Sequence, residues 1–486
     1  MSERLNQAQK KLASWQPSVN ARYKPRYHLS VPAGWLNDPN GFGFFQGKCH
    51  LFYQYHPYDT VWGPMHWGHW SSEDMISWKQ EPVAMAPDCT FDERGCFSGT
   101  AIEDGGRYCI MYTGVCEETP GGKTFQQQCL AYCEDGVHVV KAKENPVVGH
   151  ELLPNGANPY EFRDPKLEKT DSGYRLIVAV QMDGEGKLLS FSSGDLIKWT
   201  YDGVYADGFG EMSECPDCFE LDGQRVLIVS VIGCGDESLV LPQPVVYVIG
   251  REENGIFHAH TAMRDIDRGL DFYAPQTCLA PDGRRLLIGW AHAWGCEMPT
   301  HRLGHGWTGT MTLIRECFVR NDSLYQLPAR EIEQRRGKAC IQGNLTIGGR
   351  TALAQCAGAC REMILDVDMR AADSFAVRLM ETGEECVVLT CDKRKGTLTI
   401  DRGASGHSFA KDGERDTRTC ATADVSLPGD RLSLRIFVDV SIIEVYVNGG
   451  EKVLTCQAFP KGGAYGVSAA AEGEAVITRL ESYELV

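Results

Sequence analysis

The stretch DPNGFGFFQGKCHLFYQY, from Asp38 to Tyr55, contains the pattern from which most of the chain is built. An apolar segment meets the polar turn Gln46-Gly47, and an aromatic segment of high β propensity follows, as in a β-hairpin. The starts of such segments lie about 50 to 67 residues apart, which is the period of a four-stranded propeller blade. The sequence therefore predicts five blades. The four later segments are SGTAIEDGGRYCIMYTG from Ser98, DPKLEKTDSGYRLIVAV from Asp164, CPDCFELDGQRVLIVS from Cys215 and APQTCLAPDGRRLLIGW from Ala274.

A second repeat supports the propeller. The segments SSEDMISW (71–78) and SSGDLIKW (192–199) both make a short polar turn that closes on a tryptophan. Such segments fit the outer hairpin of a blade. Strands bounded by glycine recur in any β-rich protein, but chance recurrence of this kind is not expected to produce five similar hairpins in order.

The predicted propeller is one of two domains, since 486 residues exceed one ordinary core. Apolar residues at helical spacing predict an N-terminal helical segment over 1–24, and the blades are expected over 25–330. A charged linker over 331–340 leads to 341–486, where alternating apolar and polar residues predict a β-sandwich. The fold class is therefore all-β, a five-bladed β-propeller with a C-terminal β-sandwich. Asp439 and Glu444 of the sandwich are expected to face solvent.

The composition favours a small polar substrate. A formal net charge of −17 disfavours nucleic acid and anionic membranes as partners, because both require a basic surface. The charged N-terminal segment lacks the apolar run of a signal peptide, and no stretch approaches the roughly 20 apolar residues of a membrane span. We therefore expect a cytoplasmic protein. The 20 cysteines, including the Cys215 and Cys218 pair, are expected as reduced thiols.

Three carboxyl residues lie beside a proline at the start of a repeat. Asp38 and Asp164 directly precede a proline, and Glu214 lies two residues before one. In a propeller, the starts of the innermost strands point into a central funnel, so these carboxylates are expected to meet. Carboxylates around one pocket, without a Ser-His pair, indicate glycoside hydrolysis, in which one attacks the anomeric carbon and another protonates the leaving oxygen.

Aromatic and polar side chains near the blade starts are candidates for binding sugar faces and hydroxyls, with core packing as the alternative for each. Three closely spaced histidines, His56, His66 and His69, are alternative metal ligands, but core or hydrogen-bonding roles are favoured. Neither a metal nor a cofactor is predicted. The candidates for sugar binding are Trp35, Asn37, Gln54, Trp62, Trp67, Phe97, Ser98, Tyr273 and Gln276.

Seven motifs resemble, in order, those of glycoside hydrolase family 32, which comprises invertases, sucrose-6-phosphate hydrolases and fructan hydrolases. The resemblance covers both domains, because that family also pairs a five-bladed propeller with a β-sandwich. Two positions depart from the family pattern, Ser213 and Ile314, and neither belongs to the acid/base set. The motifs are WLNDPNG (35–41), FYQYHP (52–57), WGPMHWGH (62–69), FSG (97–99), FRDP (162–165), ECPD (214–217) and DFYAPQ (271–276).

The resemblance implies a role for each carboxyl group. Asp38 is the expected nucleophile, Glu214 the general acid/base, and Asp164 the transition-state stabiliser that binds fructose hydroxyls. Asp38 must be ionised while Glu214 starts protonated. Cys215 and nearby apolar residues are expected to help keep Glu214 protonated, and Arg163 to favour ionised carboxylates. The expected substrate-binding residues are Asn37, Gln54, Trp62, Ser98 and Arg163, with Phe97 and Tyr273 added from their places at blade starts.

The predicted activity is that of a retaining β-fructofuranosidase that hydrolyses sucrose through a covalent fructosyl-enzyme intermediate. The first alternative is hydrolysis of sucrose 6-phosphate, and a fructan exo-hydrolase or fructosyltransferase ranks lower. A sugar-binding propeller without catalysis is the alternative from another class, and the intact carboxylate set argues against it. The sequence leaves the oligomeric state open.

Overall fold

The computed structural model describes residues 2–119, 121–236, 238–411, 414–463 and 465–486. The first helix, Glu3–Trp15, is capped by Ser2, whose hydroxyl accepts the backbone N–H of Leu5 at 3.2 Å. Its buried face, Ala8 and Leu12, joins the propeller core. A 3-10 helix, Gln16–Ser18, follows. In these ranges, no helix is long and apolar enough to cross a membrane.

The expected five-bladed β-propeller is confirmed. Each blade is a sheet of four main antiparallel strands, and the first strand of each is the inner strand. The strands are Gly34–Phe45, Lys48–His56, His66–Ser72 and Trp78–Gln80 in blade I; Gly95–Asp104, Arg107–Glu117, Thr124–Cys133 and Val139–Lys141 in blade II; Ala157–Thr170, Gly173–Met182, Glu185–Ser193 and Trp199–Ala206 in blade III; Met212–Leu221, Gln224–Ile232, Val245–Glu253 and Ile256–Ala259 in blade IV; and Tyr273–Leu279, Arg285–Trp290, Arg315–Arg320 and Ser323–Pro328 in blade V. A 3-10 helix, His150–Leu152, precedes blade III, and Arg264–Asp265 adds to blade IV.

The ring is closed by a strand from far along the chain. The segment Trp307–Thr308 pairs in parallel with the start of the inner strand of blade I, where Trp307 faces Gly34 and Thr308 faces Trp35. It comes from the long connection inside blade V, which also holds the short helix Pro299–Arg302. Because the last blade is tied to the first, the inner strands stay around one axis.

The two tryptophan repeats form the same outer turn in blades I and III. Asp74 Oδ1 accepts the backbone N–H groups of the second and third residues after it, and Asp195 Oδ1 does the same. The indole N–H of Trp78 donates to a backbone carbonyl three residues earlier at 3.1 Å, and that of Trp199 does so at 2.9 Å. The repeat therefore marks the turn between the third and fourth strands.

The C-terminal domain is a β-sandwich whose strands form one hydrogen-bonded network of 11 strands in the described residues. The long strands Cys360–Thr382 and Gly466–Leu485 pair with each other and join the other strands around an apolar core. The expected linker 331–340 holds the 3-10 helix Arg330–Arg335 and the first part of a strand. The remaining elements are Arg336–Gln342, Leu345–Ile347, Thr351–Ala352, the 3-10 helix Ala354–Cys356, Glu385–Asp392, Thr397–Asp401, Cys420–Asp424, Arg431–Asp439, Ile442–Val447 and Lys452–Gln457. Every cysteine of the chain carries a free thiol.

The expectation that Asp439 and Glu444 face solvent is wrong. Both are fully buried, because the propeller covers this face of the sandwich. Asp439 accepts the backbone N–H groups of Arg26, Tyr27 and His28 at 2.8–2.9 Å. The ring of His28 bridges the two carboxylates, at 3.0 Å from Asp439 Oδ2 and 3.1 Å from Glu444 Oε1. These groups join the two domains.

Glu444 is paired across the interface with Arg315 of blade V. Its Oε2 accepts from Arg315 Nε at 3.1 Å and Nη2 at 2.8 Å, and from the hydroxyl of Tyr446 at 2.8 Å. Burial raises the pKa of Glu444, but Arg315 and His28 outweigh it and hold that pKa at about 2. The carboxylate is therefore charged and fully engaged in the assembled protein.

Removal of this carboxylate is expected to destabilise the assembled domains. Glu444→Ala leaves the buried Arg315 guanidinium without its main partner, so we expect a loss of about 3–5 kcal/mol in the free energy of unfolding. Urea unfolding followed by tryptophan fluorescence measures it. The matched control is Glu474→Ala at an exposed position of the same domain. Equal, small losses in both variants would contradict the role given to Glu444.

Candidate active site

The structure brings Asp38, Asp164 and Glu214 together at one end of the propeller axis, around a cavity of about 510 Å³. Each carboxyl group comes from the inner strand of a different blade: I, III and IV. Predicted residues also line the cavity, namely Asn37, Gln54, Trp62, Phe97, Ser98 and Arg163. The convergence expected from the blade repeat is therefore observed.

A break in strand pairing accompanies the site residues in every blade. The register shifts between Leu36 and Pro39 in blade I, and between Glu214 and Asp217 in blade IV. Similar shifts occur beside Ser98, Asp164 and Tyr273. A bulge inserts an extra residue, bends the strand and turns a side chain out of the regular alternation. The repeated bulge thus directs these side chains towards the axis.

Asp38 is buried and held by neutral donors. Ser98 Oγ donates to its Oδ2 at 2.6 Å, and Asn37 Nδ2 donates to its Oδ1 at 3.0 Å. The indole of Trp35 fixes Asn37 by donating to its amide oxygen at 2.8 Å. Burial raises the pKa of Asp38, the Ser98 and Asn37 hydrogen bonds lower it, and the charge of Glu214 raises it. The donors favour the ionised form that a nucleophile needs.

Asp164 occupies an unusual backbone position with φ of 63°. Its N–H donates to Thr113 Oγ1 at 2.9 Å, and its Oδ2 accepts the backbone N–H of Cys215 at 3.0 Å. The pKa of Asp164 is raised to about 7: burial raises it most, Arg163 lowers it, and the charges of Glu214 and Asp38 raise it. The carboxyl cluster therefore retains a proton up to about neutral pH.

Glu214 is bound by Arg163 and Tyr273. Arg163 donates to its Oε1 from Nε at 3.1 Å and from Nη2 at 2.9 Å, while the Tyr273 hydroxyl donates to its Oε2 at 2.6 Å. The Cys215 thiol instead lies 3.6 Å from Asp38 Oδ2 and 3.5 Å from Asp164 Oδ2. The bulge thus turns the thiol to the other two carboxyl groups, and the expectation that Cys215 helps keep Glu214 protonated stays a prediction.

The remaining predicted residues form the walls of the cavity. Gln54 donates to the backbone carbonyl of Cys96 at 3.0 Å, which fixes its amide at the cavity edge. Trp62 is 49% exposed, and its ring meets that of Phe97 edge-on at 5.8 Å, so an apolar face is open at the mouth. Tyr273 is buried behind Glu214 and supports it.

Other candidates from the sequence are structural. Gln276 accepts the backbone N–H of Phe42 and donates to the carbonyl of Gly99, so it ties three inner strands together. Trp35 orients Asn37, and Trp67 is fully buried. The ring nitrogens of the histidines His56, His66 and His69 bond separately to Val61 O, Pro64 O and His50.

Among the described residues, the carboxyl groups of the cavity do not form a group of ligand atoms close enough to hold a metal ion. In the described ranges, one group of three potential ligands lies close together, Asp88, Cys89 and Asp92, away from the cavity. Lys141 Nζ already forms ion pairs with two members of this group, at 2.5 Å from Asp88 and 2.6 Å from Asp92. That group is an ion pair network that stabilises blade II.

Sequence reasoning missed five residues that line the cavity. Gln126 accepts from Arg163 Nη1 at 3.2 Å and from the backbone N–H of Phe162 at 2.9 Å. Glu161 forms an ion pair with Arg163. The run of three glutamines at 126–128 interrupts an otherwise apolar strand, and this pattern could have indicated Gln126 as a site residue. The full set is Gln126, Glu161, Ile232, Gln243 and Trp294.

Comparisons with known proteins agree with this arrangement. Residues 28–328 match the model of the glycosyl hydrolases family 32 N-terminal domain, and residues 331–484 match that of the family 32 C-terminal domain. Sucrose-6-phosphate hydrolase of Escherichia coli is 36% identical over 474 residues, which covers 94% of each chain. Raffinose invertase of Escherichia coli is 34% identical over 491 residues and covers 98% of each.

A solved structure shows the same architecture. It is a variant of the Bombyx mori GH32 β-fructofuranosidase in complex with sucrose; it has a TM-score of 0.84 and 31% identity, and covers 99% of this chain and 97% of that one. The matched family models, the relatives over nearly full length and the convergent carboxyl groups all agree. The chain belongs to glycoside hydrolase family 32.

Proposed function

We propose that the protein is a retaining β-fructofuranosidase that cleaves sucrose or its 6-phosphate. The observation that carries the proposal is the pair Asp38 and Glu214 in one cavity, the first held by neutral donors and the second by Arg163 and Tyr273. A retaining glycosidase needs such a pair, one carboxyl group as nucleophile and one as proton donor.

In the first step, a carboxylate oxygen of Asp38 forms a bond to C2 of the fructosyl unit. The bond from C2 to the glycosidic oxygen breaks, and Glu214 gives its proton to that oxygen, so the glucosyl part leaves as an alcohol. Asp38 becomes neutral as an ester, and Glu214 becomes an anion that Arg163 stabilises.

In the second step, Glu214 takes a proton from water, and the water oxygen bonds to C2 as the ester bond breaks. Asp38 returns to a carboxylate, Glu214 is protonated again, and fructose leaves with its original configuration at C2 because two inversions have occurred. Both carboxyl groups thereby return to their starting protonation states, and the enzyme gains or loses no proton over the full cycle.

Asp164 supports both steps by accepting hydrogen bonds from fructose hydroxyls. Without a sugar bound, the raised pKa of Asp164 keeps a proton on this carboxyl group up to about neutral pH. A bound fructosyl unit offers hydroxyl donors to Asp164, which favours its ionised form. The cluster, rather than one residue, therefore determines the pH profile.

A non-catalytic sugar-binding propeller is a poor account of the same cavity. Gathering three carboxyl groups around one cavity costs free energy, because burial and the nearby negative charge of Glu214 raise the pKa values of Asp38 and Asp164. A binding site for a neutral sugar needs only neutral donors and acceptors. The carboxyl cluster is the arrangement that acid/base chemistry requires.

Replacement of the nucleophile tests the proposal directly. Asp38→Asn is expected to lower kcat on sucrose by about three orders of magnitude or more, because the bond to C2 no longer forms. The release of reducing sugar measures it. Asp171→Asn, at an exposed turn of blade III, is the matched control and retains full activity. A kcat above about a tenth of the wild-type value in Asp38→Asn would refute the assignment.

Glu214→Gln is expected to separate the two steps. With an aryl fructoside whose leaving group needs no proton, the first step stays fast while the second is slowed by about two to four orders of magnitude. Stopped-flow absorbance should therefore show a burst of about one aryl alcohol per active site. Asp38→Asn gives no burst and serves as the control. Slow, burst-free release by Glu214→Gln would count against its role as the acid.

Asp164→Asn is expected to stabilise the protein while it abolishes activity. The folded-state pKa of Asp164 is raised from 3.8 to about 7, so the wild-type protein loses stability as pH rises through that window. The neutral amide avoids this loss, and asparagine tolerates the positive φ. We expect a gain of about 1–3 kcal/mol at pH 8 that vanishes near pH 4.

Thermal unfolding at both pH values measures this difference. Asp171→Asn, at an exposed turn of blade III, is the control and gives no pH-dependent gain. A gain that is equal at pH 4 and pH 8, or absent at both, would show that Asp164 is ordinarily ionised in the fold.

A further inference from the structure

The guanidinium of Arg163 is shared between two carboxyl groups of the active-site cavity. Among the described residues that line the cavity, Arg163 is the one cationic side chain. Its Nε and Nη2 donate to Glu214 Oε1 at 3.1 and 2.9 Å. Its remaining nitrogen, Nη1, donates to Glu161 and forms an ion pair with it. The group assigned as the acid therefore competes with a second carboxylate for one positive charge.

The neighbouring blade holds this ion pair in place. Glu161 and Arg163 are two positions apart in the inner strand of blade III, and side chains at that spacing lie on one face of a strand. Gln126 of blade II is 7% exposed, and its Oε1 accepts the backbone N–H of Phe162 at 2.9 Å and Arg163 Nη1 at 3.2 Å. The distribution of the Arg163 donors is therefore fixed by buried contacts.

Glu161 acts on Arg163 and on no other described polar group. Its hydrogen bond goes to Arg163, and its side chain is 39% exposed. The charged residues Glu118 and Lys123 of blade II contact the neighbouring Tyr160 instead: Glu118 accepts from its hydroxyl at 3.1 Å, and Lys123 Nζ lies 4.6 Å from its ring centre. The carboxylate of Glu161 can therefore influence the active site only through its charge and through Arg163.

The charged groups around Glu214 come from two blades. Burial lowers the pKa of Arg163, but the charges of Glu214, Asp164 and Glu161 outweigh it and hold that pKa above its usual range. The guanidinium is therefore charged throughout the working pH range. The charged groups that face Glu214 are Asp38 of blade I and Glu161, Arg163 and Asp164 of blade III.

Two further titratable groups beside Glu214 remain neutral. Burial raises the pKa of Tyr273 well above its usual value, and Glu214 raises it further. Burial also raises the pKa of the Cys215 thiol well above its usual value. The other described residues of the cavity wall carry no charge. The protonation of Glu214 is therefore set by the balance between Arg163 and the carboxyl groups.

A general acid must keep its proton until the leaving oxygen takes it. A guanidinium that donates twice to Glu214 favours the ionised form, which opposes this requirement. Glu161 counteracts the guanidinium, because a second carboxylate offsets its charge in part and repels negative charge on Glu214. Solvent around the half-exposed Glu161 weakens the effect without removing it.

We propose that Glu161 is a positioning residue that keeps the acid Glu214 protonated by balancing the charge of Arg163. This rests on the proposed β-fructofuranosidase function, in which Glu214 gives its proton to the leaving oxygen. Glu161 neither contacts the reacting atoms nor transfers a proton. After proton transfer, Arg163 still stabilises the Glu214 anion through its two hydrogen bonds.

The first test is the pH dependence of kcat/KM for sucrose or its 6-phosphate, whichever the wild-type protein cleaves faster. Glu161→Gln keeps an oxygen that accepts from Arg163 but removes the charge. The alkaline limb, where the acid loses its proton, should therefore move to lower pH by about half to one unit. Glu185→Gln is the matched control: Glu185 is an exposed glutamate of the same blade outside the cavity, and its loss should leave the limb in place.

The leaving group supplies a second readout. An aryl fructoside whose leaving group needs no proton does not use the acid in the first step, which kcat/KM reports. On the alkaline side, Glu161→Gln should lower kcat/KM for the natural sugar by about three- to tenfold and leave that for the aryl fructoside unchanged. If Glu161 instead bound the fructosyl unit, both substrates would lose equally.

A rescue variant separates charge balance from a merely structural role. In the described part of the chain, Gln126 uses only its Oε1 in hydrogen bonds, so Gln126→Glu keeps both contacts and places a carboxylate on Arg163 Nη1. Gln126→Glu added to Glu161→Gln should move the alkaline limb back towards its wild-type position. A limb that stays at the lower pH in the double variant would contradict the charge balance.

Infrared difference spectra give a readout without turnover. The spectrum of the protein minus that of its Glu214→Gln counterpart follows the protonation of Glu214, which should lose its proton at lower pH when Glu161 is Gln. An unmoved titration with an unmoved alkaline limb, an equal shift in Glu185→Gln, or equal losses on both substrates would overturn the role of Glu161 and leave hydrolysis standing. If the wild-type protein cleaves neither sugar, the proposed function fails, and the infrared titration still decides the charge balance.

Discussion

Three carboxyl groups share one cavity with a single guanidinium, and the rest of the molecule is arranged to hold them there. Burial raises the pKa values of Asp38 and Asp164, and the charge of Glu214 raises both further. The groups stay together because each comes from a different blade of a closed ring. The parallel strand at 307–308 closes that ring, and a bulge in each inner strand directs the side chains inward. Arg163 and the Cys215 N–H then offset part of the repulsion.

The second domain fixes a wall of the site rather than the carboxyl groups. Buried contacts of Arg315 and His28 with Glu444 hold the sandwich in one position on the propeller. That position places Arg418 of the sandwich at Trp294, a residue that lines the active-site cavity and whose backbone carbonyl accepts from Arg418 Nη1 at 3.0 Å. The catalytic pair thus comes from the propeller alone, whereas Trp294 of the cavity wall is also held by the sandwich.

The blades and the carboxyl cluster could be predicted from the sequence because both follow from repetition. A hairpin that recurs five times gives a propeller, and a carboxyl residue at an equivalent place in several repeats lies at the axis. Gln243 and Trp294 could not be predicted in this way, because they lie in loops whose course depends on packing between blades and sandwich. The period of the repeat carries no information about those loops.

The sandwich carboxylates show a different limit. Alternation along 431–447 separates the two faces of a strand, and a polar residue on the outer face is normally solvated. Every residue of the strand that holds Glu444 is buried, because the outer face of that strand is covered by blade V. Alternation describes one domain, and it does not reveal what the other domain covers.

The most direct test of the account is to trap the intermediate. Glu214→Gln protein mixed with an aryl fructoside, quenched in acid and digested, should yield one peptide that carries a single fructosyl unit, attached at Asp38. Mass spectrometry of the peptides locates it. A fructosyl ester on Asp164, or no ester in protein that nevertheless releases the aryl alcohol, would contradict the assignment of Asp38 as the nucleophile.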